Sequence, residues 1–247
     1  MLNINKDDPL ATSVVNAIRS GDTGTLARLI RDNPDLPSAR LDCGDGKMSR
    51  TLLHIVTDWP GHFPNCGATI ALLVNAGAEV NARFIGRHTE TPLHWAASSD
   101  DIEALDALLD AGANIETPGA VIGQGTPLDD AVAFGQWNAA RRLIERGAKT
   151  KLWHAAALGL MDQVEAMFAD VAAPTPDEIT NAFWFACHGG QRKTAEFLLN
   201  HGANLNWIPH WEERTPLDTA RRAGADELID WLIGQGARSA EDLRSNP

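Results

Sequence analysis

Residues 91–97 read TPLHWAA, and LL at 108–109 and AGAN at 111–114 follow them. A Thr before a Pro favours a helix start, because Thr91 can cap the helix and the next residue needs no backbone N–H there. Gly112 supplies the left-handed backbone that ends a helix. The stretch therefore predicts a pair of helices that opens at TPL and closes at the glycine.

The same pattern recurs along the chain and divides it into units. TPL returns at 126–128 and 215–217, TLLH stands at 51–54, and two weaker copies begin at 151 and 181. A unit of about 33 residues cannot bury its apolar face alone and must stack on its neighbours. We predict an all-α solenoid of about six helix pairs with short hairpin-like fingers. Its segments are a tail 1–9, a domain 10–240 with a capping unit 10–40 and repeats near 50–81, 91–116, 126–148, 150–170, 181–206 and 214–237, and a tail 241–247.

These motifs resemble the consensus of the ankyrin repeat family, and the resemblance covers roughly residues 10–240. The chain is similar to small, stand-alone bacterial-type members. The resemblance implies a non-enzymatic scaffold that binds a protein partner segment through a concave groove and its finger tips. It also implies that His54 and His94 brace neighbouring fingers by hydrogen bonds, with Asp129 and Asp218 taking the same place in their copies.

The composition narrows the classes of partner. A net charge of −12 argues against nucleic acid, because affinity for phosphates depends on Lys and Arg. No apolar run has the length of a membrane span, and the first residues are acidic where a signal peptide would be basic. Three cysteines without metal-ligand spacing fit a reducing compartment. We expect a cytoplasmic monomer with no metal and no other cofactor.

Departures from the repeat locate the candidate site. His54 and His94 are 40 residues apart, but Leu72 and Leu108 only 36, so about four residues are inserted between 58 and 68. Two fingers are also missing, one after residue 148 and one between 169 and 180, where the chain has no hairpin signal. A missing finger would leave a notch in the wall of the groove.

The chain has eight Trp, seven Phe and no Tyr, and several of these aromatics fall at positions that face the groove. Tryptophan is favoured at binding hot spots because it buries a large area. We expect five tryptophans, with Phe134 and three histidines, to line one cavity. The candidate ligand-binding residues are Asp58, Trp59, His62, Ser98, Phe134, Trp153, His154, Trp184, His188, Trp207, His210 and Trp211.

Two functions are compatible with this pattern. The first is recognition of a protein segment in an open groove. The alternative is a pocket for a small apolar or aromatic molecule, closed by the loop around His62, in which Asp and His side chains bind or transform the ligand. Carboxylates that include Asp58, Asp129 and Asp130 lie near the groove, but no nucleophile elbow, phosphate loop or dinucleotide fingerprint occurs. We expect a binding protein rather than an enzyme, and no catalytic residue is assigned.

Overall fold

The structure is a computed structural model that describes residues 2–44 and 46–245. The chain divides into two compact units, one up to Lys149 and one from Thr150 onward. The boundary lies between Ala148 and Leu152, where the sequence predicts a missing finger. Each unit is described by itself.

The first unit is built mainly from pairs of short helices. The helices of its described residues are α1 Pro9–Ser20, α2 Thr23–Asp32, α3 Leu52–Val56, α4 Cys66–Asn75, α5 Pro92–Ser98, α6 Ile102–Asp110, α7 Pro127–Ala133 and α8 Trp137–Glu145. Thr91 and Thr126 are the N-caps of α5 and α7, and a Pro follows each of them at the first helical position. The helix starts predicted from TPL are therefore confirmed.

The first unit also contains a small sheet, although the sequence predicts only helices. Its strands are β1 Asn3–Ile4, β2 Arg40–Asp42 and β3 Ser49–Thr51, with β2 in the centre, parallel to β1 and antiparallel to β3. The buried Arg40 guanidinium donates to the carbonyls of Ser49 at 2.9 Å and Arg83 at 2.7 Å. Part of the expected tail 1–9 is thus structured, because the buried Ile4 belongs to β1.

The second unit continues the paired helices. Its described residues form α9 Leu152–Leu158, α10 Met161–Ala169, α11 Pro176–His188, α12 Arg192–Asn200, α13 Pro216–Ala223, α14 Asp226–Gly234 and α15 Ala240–Ser245. Its core includes the fully buried Phe183, Leu198 and Leu232. The pairs that follow α1 and α2 agree with the predicted six, and α15 takes up part of the expected tail 241–247.

The second missing finger is replaced by helix. α11 begins at Pro176, five residues before the copy that the sequence places at 181, and no strand or bridge occurs among residues 170–175. Thr175 caps this extra turn: its hydroxyl and its amide donate to Glu178 at 2.8 Å. The helix gains its first turn from this capping box.

Histidine and aspartate side chains brace the repeat starts. In the first unit His54 Nδ1 lies 2.8 Å from Thr51 Oγ1, and its Nε2 lies 3.1 Å from the carbonyl oxygen of Glu90. His94 repeats the contact with Thr91 at 2.9 Å and reaches the carbonyl of Gly125 at 3.4 Å. Asp129 and Asp218 accept from the Thr hydroxyls of their own units, Thr126 and Thr215. The predicted bracing role is confirmed.

No helix among residues 2–44 and 46–245 combines the length and the apolar character that a membrane crossing requires.

Candidate functional site

The inserted segment between α3 and α4 is a fastened loop. The His62 amide donates to Asp101 Oδ2 at 2.6 Å, and His62 Nε2 lies 3.1 Å from the carbonyl oxygen of Ser99. On the other side, the Asn65 side chain donates to the carbonyl of Gly21 at 3.0 Å. The loop is thus tied to the repeat after it and to the capping pair before it, a rigid base for the residues it carries.

A cavity of about 400 Å³ lies beside this loop in the first unit. We call it the aromatic–acidic cavity. It is lined by Thr57, Asp58, Trp59, Glu90, Trp95, Ser98, Ser99, Val121, Phe134 and Gln136. Four of the predicted residues, Asp58, Trp59, Ser98 and Phe134, therefore lie together in its lining.

Three aromatic side chains contribute to this cavity from different elements. Trp59 on the inserted loop is 80% exposed, and Phe134, directly after α7, is 47% exposed. Trp95 on α5 is held more firmly, because it packs edge-on against His54 with ring centroids 4.9 Å apart and contacts Phe84 at 5.6 Å. The cavity thus combines one fixed ring with two rings that face solvent.

Two buried carboxyl groups interact with each other here: Glu90, which lines this cavity, and Asp130, which does not. Glu90 lines it and is only 8% exposed; burial raises its pKa, partly offset by a hydrogen bond from the Trp95 indole. Asp130 on α7 is fully buried, and burial, followed by the charge of Glu90, raises its pKa to about 8. Neither Asp130 oxygen has a hydrogen-bond partner of ordinary geometry among the described residues. Amides of Val121 and Ile122 favour the ionised form to a small extent.

Asp58 differs from these two carboxylates, because its charge is balanced. Its Oδ2 lies 3.2 Å from the Arg19 guanidinium and 2.8 Å from that of Arg50. This arrangement fixes the base of the inserted loop beside Trp59. No Lys, Arg or His is among the residues that line the cavity. The ionisable side chains of its lining are Asp58, whose charge is balanced, and Glu90.

The second unit has a separate cavity of about 610 Å³, which we call the finger cavity. It is lined by Pro176, Asp177, Glu178, Thr180, Asn181, Asn204, Trp207, His210 and Trp211. The extra first turn of α11 forms one side, and the finger 204–211 forms the other. Trp211 is 48% exposed and meets Trp207 at a ring-centroid distance of 5.5 Å and His210 at 4.8 Å.

Hydrogen bonds attach the first residues of the finger to residues that come before it and after it in the chain. The Asn204 amide donates to Thr180 Oγ1 at 3.2 Å, and Asn206 Oδ1 accepts from the Arg238 amide at 2.7 Å. The three aromatic rings therefore project from an anchored loop. The predicted residues Trp207, His210 and Trp211 lie together in this cavity.

The other predicted residues line neither cavity. His62 fastens the inserted loop, as described above. His154 is fully buried and accepts from the Lys151 amide at 3.1 Å. Trp153 packs on Phe185 with ring centroids 4.4 Å apart. Trp184 is buried and donates its indole N–H to the carbonyl of Arg214 at 3.0 Å, and His188 lies 5.5 Å from its ring.

The sequence suggests a single cavity, but these residues line a separate cavity inside each unit. Trp59 and Phe134 belong to a cavity of the first unit, whereas Trp207 and Trp211 belong to one of the second. Trp153 and Trp184 have the sequence signature of exposed anchors, but they lie against neighbouring aromatics because the inner helices of this unit pack closely.

Sequence reasoning missed several residues of the aromatic–acidic cavity. Trp95 was not among the predicted residues, yet it is partly exposed and lines the cavity. Glu90, Val121 and Gln136 carry no motif. One signal was available for Glu90: it stands directly before Thr91, so the fold of the finger must bring it beside the first residues of α5.

No group of three or more His, Cys, Asp or Glu side chains suited to a metal ion occurs in the described ranges 2–44 and 46–245.

Stacked helix pairs with Thr-Pro starts and braced fingers define a repeat protein of the binding type. The family model "Ankyrin repeats (3 copies)" matches residues 14–119, 69–152 and 152–241. The chain belongs to the ankyrin repeat family.

The chain is similar to an ankyrin repeat and KH domain-containing protein of Caenorhabditis briggsae, with 26% identity over 186 residues. This alignment covers 72% of the chain but only 7% of the relative. The chain thus spans a small part of that relative's length. The expectation of a stand-alone bacterial-type member stays a prediction.

Proposed function

We propose that this chain is a binding protein that recognises a partner segment through the concave groove of its repeats and the tips of its fingers. Ankyrin repeats typically mediate protein–protein binding. One observation carries the proposal: Trp59, Phe134 and Trp211 are large aromatic side chains that remain about half exposed or more on anchored loops and turns. Exposed aromatics beside a concave surface are typical of interaction sites.

The two cavities support an extended protein ligand. Both open to solvent, whereas a pocket for a small molecule encloses most of the ligand's surface. The loop around His62 is fastened to Ser99 and Asp101, and His62 is not among the residues that line the aromatic–acidic cavity. A segment that passes over an open cavity and inserts single side chains fits this geometry.

A second candidate function is the binding of a small aromatic molecule in the finger cavity. One observation favours it: Asn181 lines this cavity, and its amide oxygen is shielded from solvent and makes no hydrogen bond with a described residue. A ligand with one donor group beside an aromatic ring would satisfy that oxygen between Trp207 and Trp211.

Native mass spectrometry of the full chain, purified from its own cells, tests the proposal. We expect the wild type to carry an added mass of protein size, and the double variant Trp59→Ala, Trp211→Ala to lose it. Ile233→Ala removes an exposed apolar side chain outside both cavities and should retain the partner. Bound small molecules alone, or equal retention by the double variant, would refute the proposed function. A small molecule lost selectively on Trp211→Ala would support the second candidate.

We also propose that the protein acts as a cytoplasmic monomer. The three cysteines are free thiols, and burial raises the pKa of Cys66 to about 12, which disfavours its oxidation. Light scattering would test the oligomeric state, and imaging of the tagged chain in its own cells would test the location.

A further inference from the structure

We propose that the aromatic–acidic cavity binds the charged end of an arginine or lysine side chain from the partner segment. This inference rests on the proposed function, and it specifies the chemistry of one contact. It follows from three observations: the aromatic walls, the buried Glu90 carboxyl and the absence of a basic side chain among the lining residues.

The walls suit a cation. Indole rings attract a guanidinium or ammonium group that lies over their face, and tryptophan is the best of the aromatic residues for this contact. Trp59 and Trp95 both line the cavity, together with Phe134. Trp95 is held by His54 and Phe84 and donates its N–H to Glu90, so that ring is positioned before a ligand arrives. Trp59 is free to settle against the ligand, since four-fifths of its surface is exposed.

The charges also select a cation. Glu90 lines the cavity, and Asp130 lies close enough to Glu90 for their charges to interact. A charge on the buried Glu90 carboxyl is costly, and a cation held beside it in the cavity would relieve this cost. Arg19 and Arg50 do not provide it, because both pair with Asp58. The overall charge of −12 attracts basic segments from a distance.

Other ligand types fit less well. An acidic side chain would meet the Glu90 carboxyl and no basic group among the lining residues. An apolar side chain would pack on the rings but would bury Glu90 further without an opposite charge beside it. A cation can interact favourably with both the aromatic rings and the Glu90 carboxyl of the lining.

The test uses the full-length protein and a short glycine–arginine peptide, with citrulline in place of arginine as the neutral control of nearly the same shape. Binding is followed by the indole N–H resonances of Trp59 and Trp95 in an NMR titration. We expect saturable shifts of both signals with the arginine peptide and none with the citrulline peptide. Trp59→Ala should weaken binding roughly tenfold, a typical size for the loss of a desolvated cation–π contact with its apolar area.

Two further variants separate specific recognition from general attraction to an acidic protein. Glu90→Gln removes one charge from the lining and should weaken binding at least as much as Trp59→Ala. Ile233→Ala keeps the charge and lies outside the cavity, so its affinity should equal that of the wild type. Circular dichroism of each variant verifies the fold, and Trp59→Ala remains informative if Glu90→Gln unfolds, since the Trp59 side chain is exposed.

Equal shifts with arginine and citrulline peptides, no saturable shift at all, or unchanged affinity in Trp59→Ala would each overturn this inference. The proposed function would survive such a result if Trp59→Ala still lost the cellular partner, because the contact would then be aromatic but not cationic. The proposed function would fail in a different way: neither the wild type nor Trp59→Ala would then retain a protein partner in native mass spectrometry.

Discussion

Replacement of Asp130 by Asn should change how the stability of this protein depends on pH. Asp130 is fully buried on α7 without a hydrogen-bond partner of ordinary geometry. Its pKa is about 8 in the folded chain, against a reference value of 3.8. The folded state thus holds a proton that the unfolded state releases. Asn keeps the shape of the side chain and removes the titration.

The sign and the size follow from linkage. A carboxyl whose folded pKa is raised contributes its full stability below the unfolded pKa and loses that contribution as the pH rises towards the folded pKa. Between these values the wild type should lose about 1 kcal/mol of unfolding free energy per pH unit relative to the variant. From about pH 5 to pH 7 the difference should reach roughly 2 to 3 kcal/mol in favour of Asn.

The difference between variant and wild type isolates Asp130 from other titrating groups. Burial lowers the pKa of His54 to about 3 and that of His94 to about 4. These two groups act with the opposite sign, because their stability contribution is lost as the pH falls. They are present in both proteins and cancel in the comparison.

Urea unfolding at a series of pH values, followed by circular dichroism, measures the free energies. Because the chain has two compact units, a second measurement reports on the residue itself: the carbon-13 shift of the Asp130 carboxyl in the folded protein should titrate well above its ordinary range. Parallel stability curves for the two proteins, together with a carboxyl midpoint near 4, would refute the reasoning.

Three further predictions concern other parts of the fold. Phe183→Ala leaves a cavity in the core of the second unit and should lower the free energy of unfolding in urea by about 3 to 5 kcal/mol. The control Val171→Ala, at a fully exposed position, should change this free energy by less than about 0.5 kcal/mol. Equal effects of the two substitutions would contradict the assigned core. His94→Gln should flatten the loss of stability between about pH 6.5 and 4, where the buried imidazole must take up a proton, and an unchanged acid profile would count against this. Asp101→Ala removes the acceptor of the His62 amide and the cap of α6. The rate of amide hydrogen exchange should therefore rise in residues 58–65 and stay unchanged in residues 204–211. Unchanged exchange in residues 58–65 would show that Asp101 does not fasten the inserted loop.

Much of the repeat framework follows from local sequence chemistry. Thr, Pro and Gly act through backbone geometry within a few residues, so copies at 91 and 126 predict helix starts and ends without knowledge of the neighbours. The bracing by His54 and His94 was implied by the resemblance to the ankyrin family, not by local chemistry. The insertion after Asp58 was visible as a difference in spacing.

The site was less predictable, because exposure depends on neighbouring elements. Trp153 and Trp184 look like candidate anchors in the sequence, yet one packs on Phe185 and the other donates to the carbonyl of Arg214. The small sheet was not predicted for a similar reason. Strand β1 has only two residues, and it pairs with a strand more than thirty positions away in the chain. Neither kind of contact leaves a periodic signal.

The register of the repeats makes Asp130 an exception among the copies. In the copies that begin at 51, 91, 151 and 215, the residue after the bracing position, or its equivalent, is Ile55, Trp95, Ala155 and Thr219, so Asp130 is the charged residue in a place that otherwise holds apolar or neutral groups. A carboxyl there adds nothing to stacking and lowers stability as it ionises. Groups that cost stability in a fold tend to serve its function. If Asp130→Asn stabilises the chain and also weakens arginine binding beside Glu90, Asp130 lowers stability but contributes to recognition. If Asp130→Asn stabilises the chain and leaves arginine binding unchanged, the acidic character of the cavity comes from Glu90 alone.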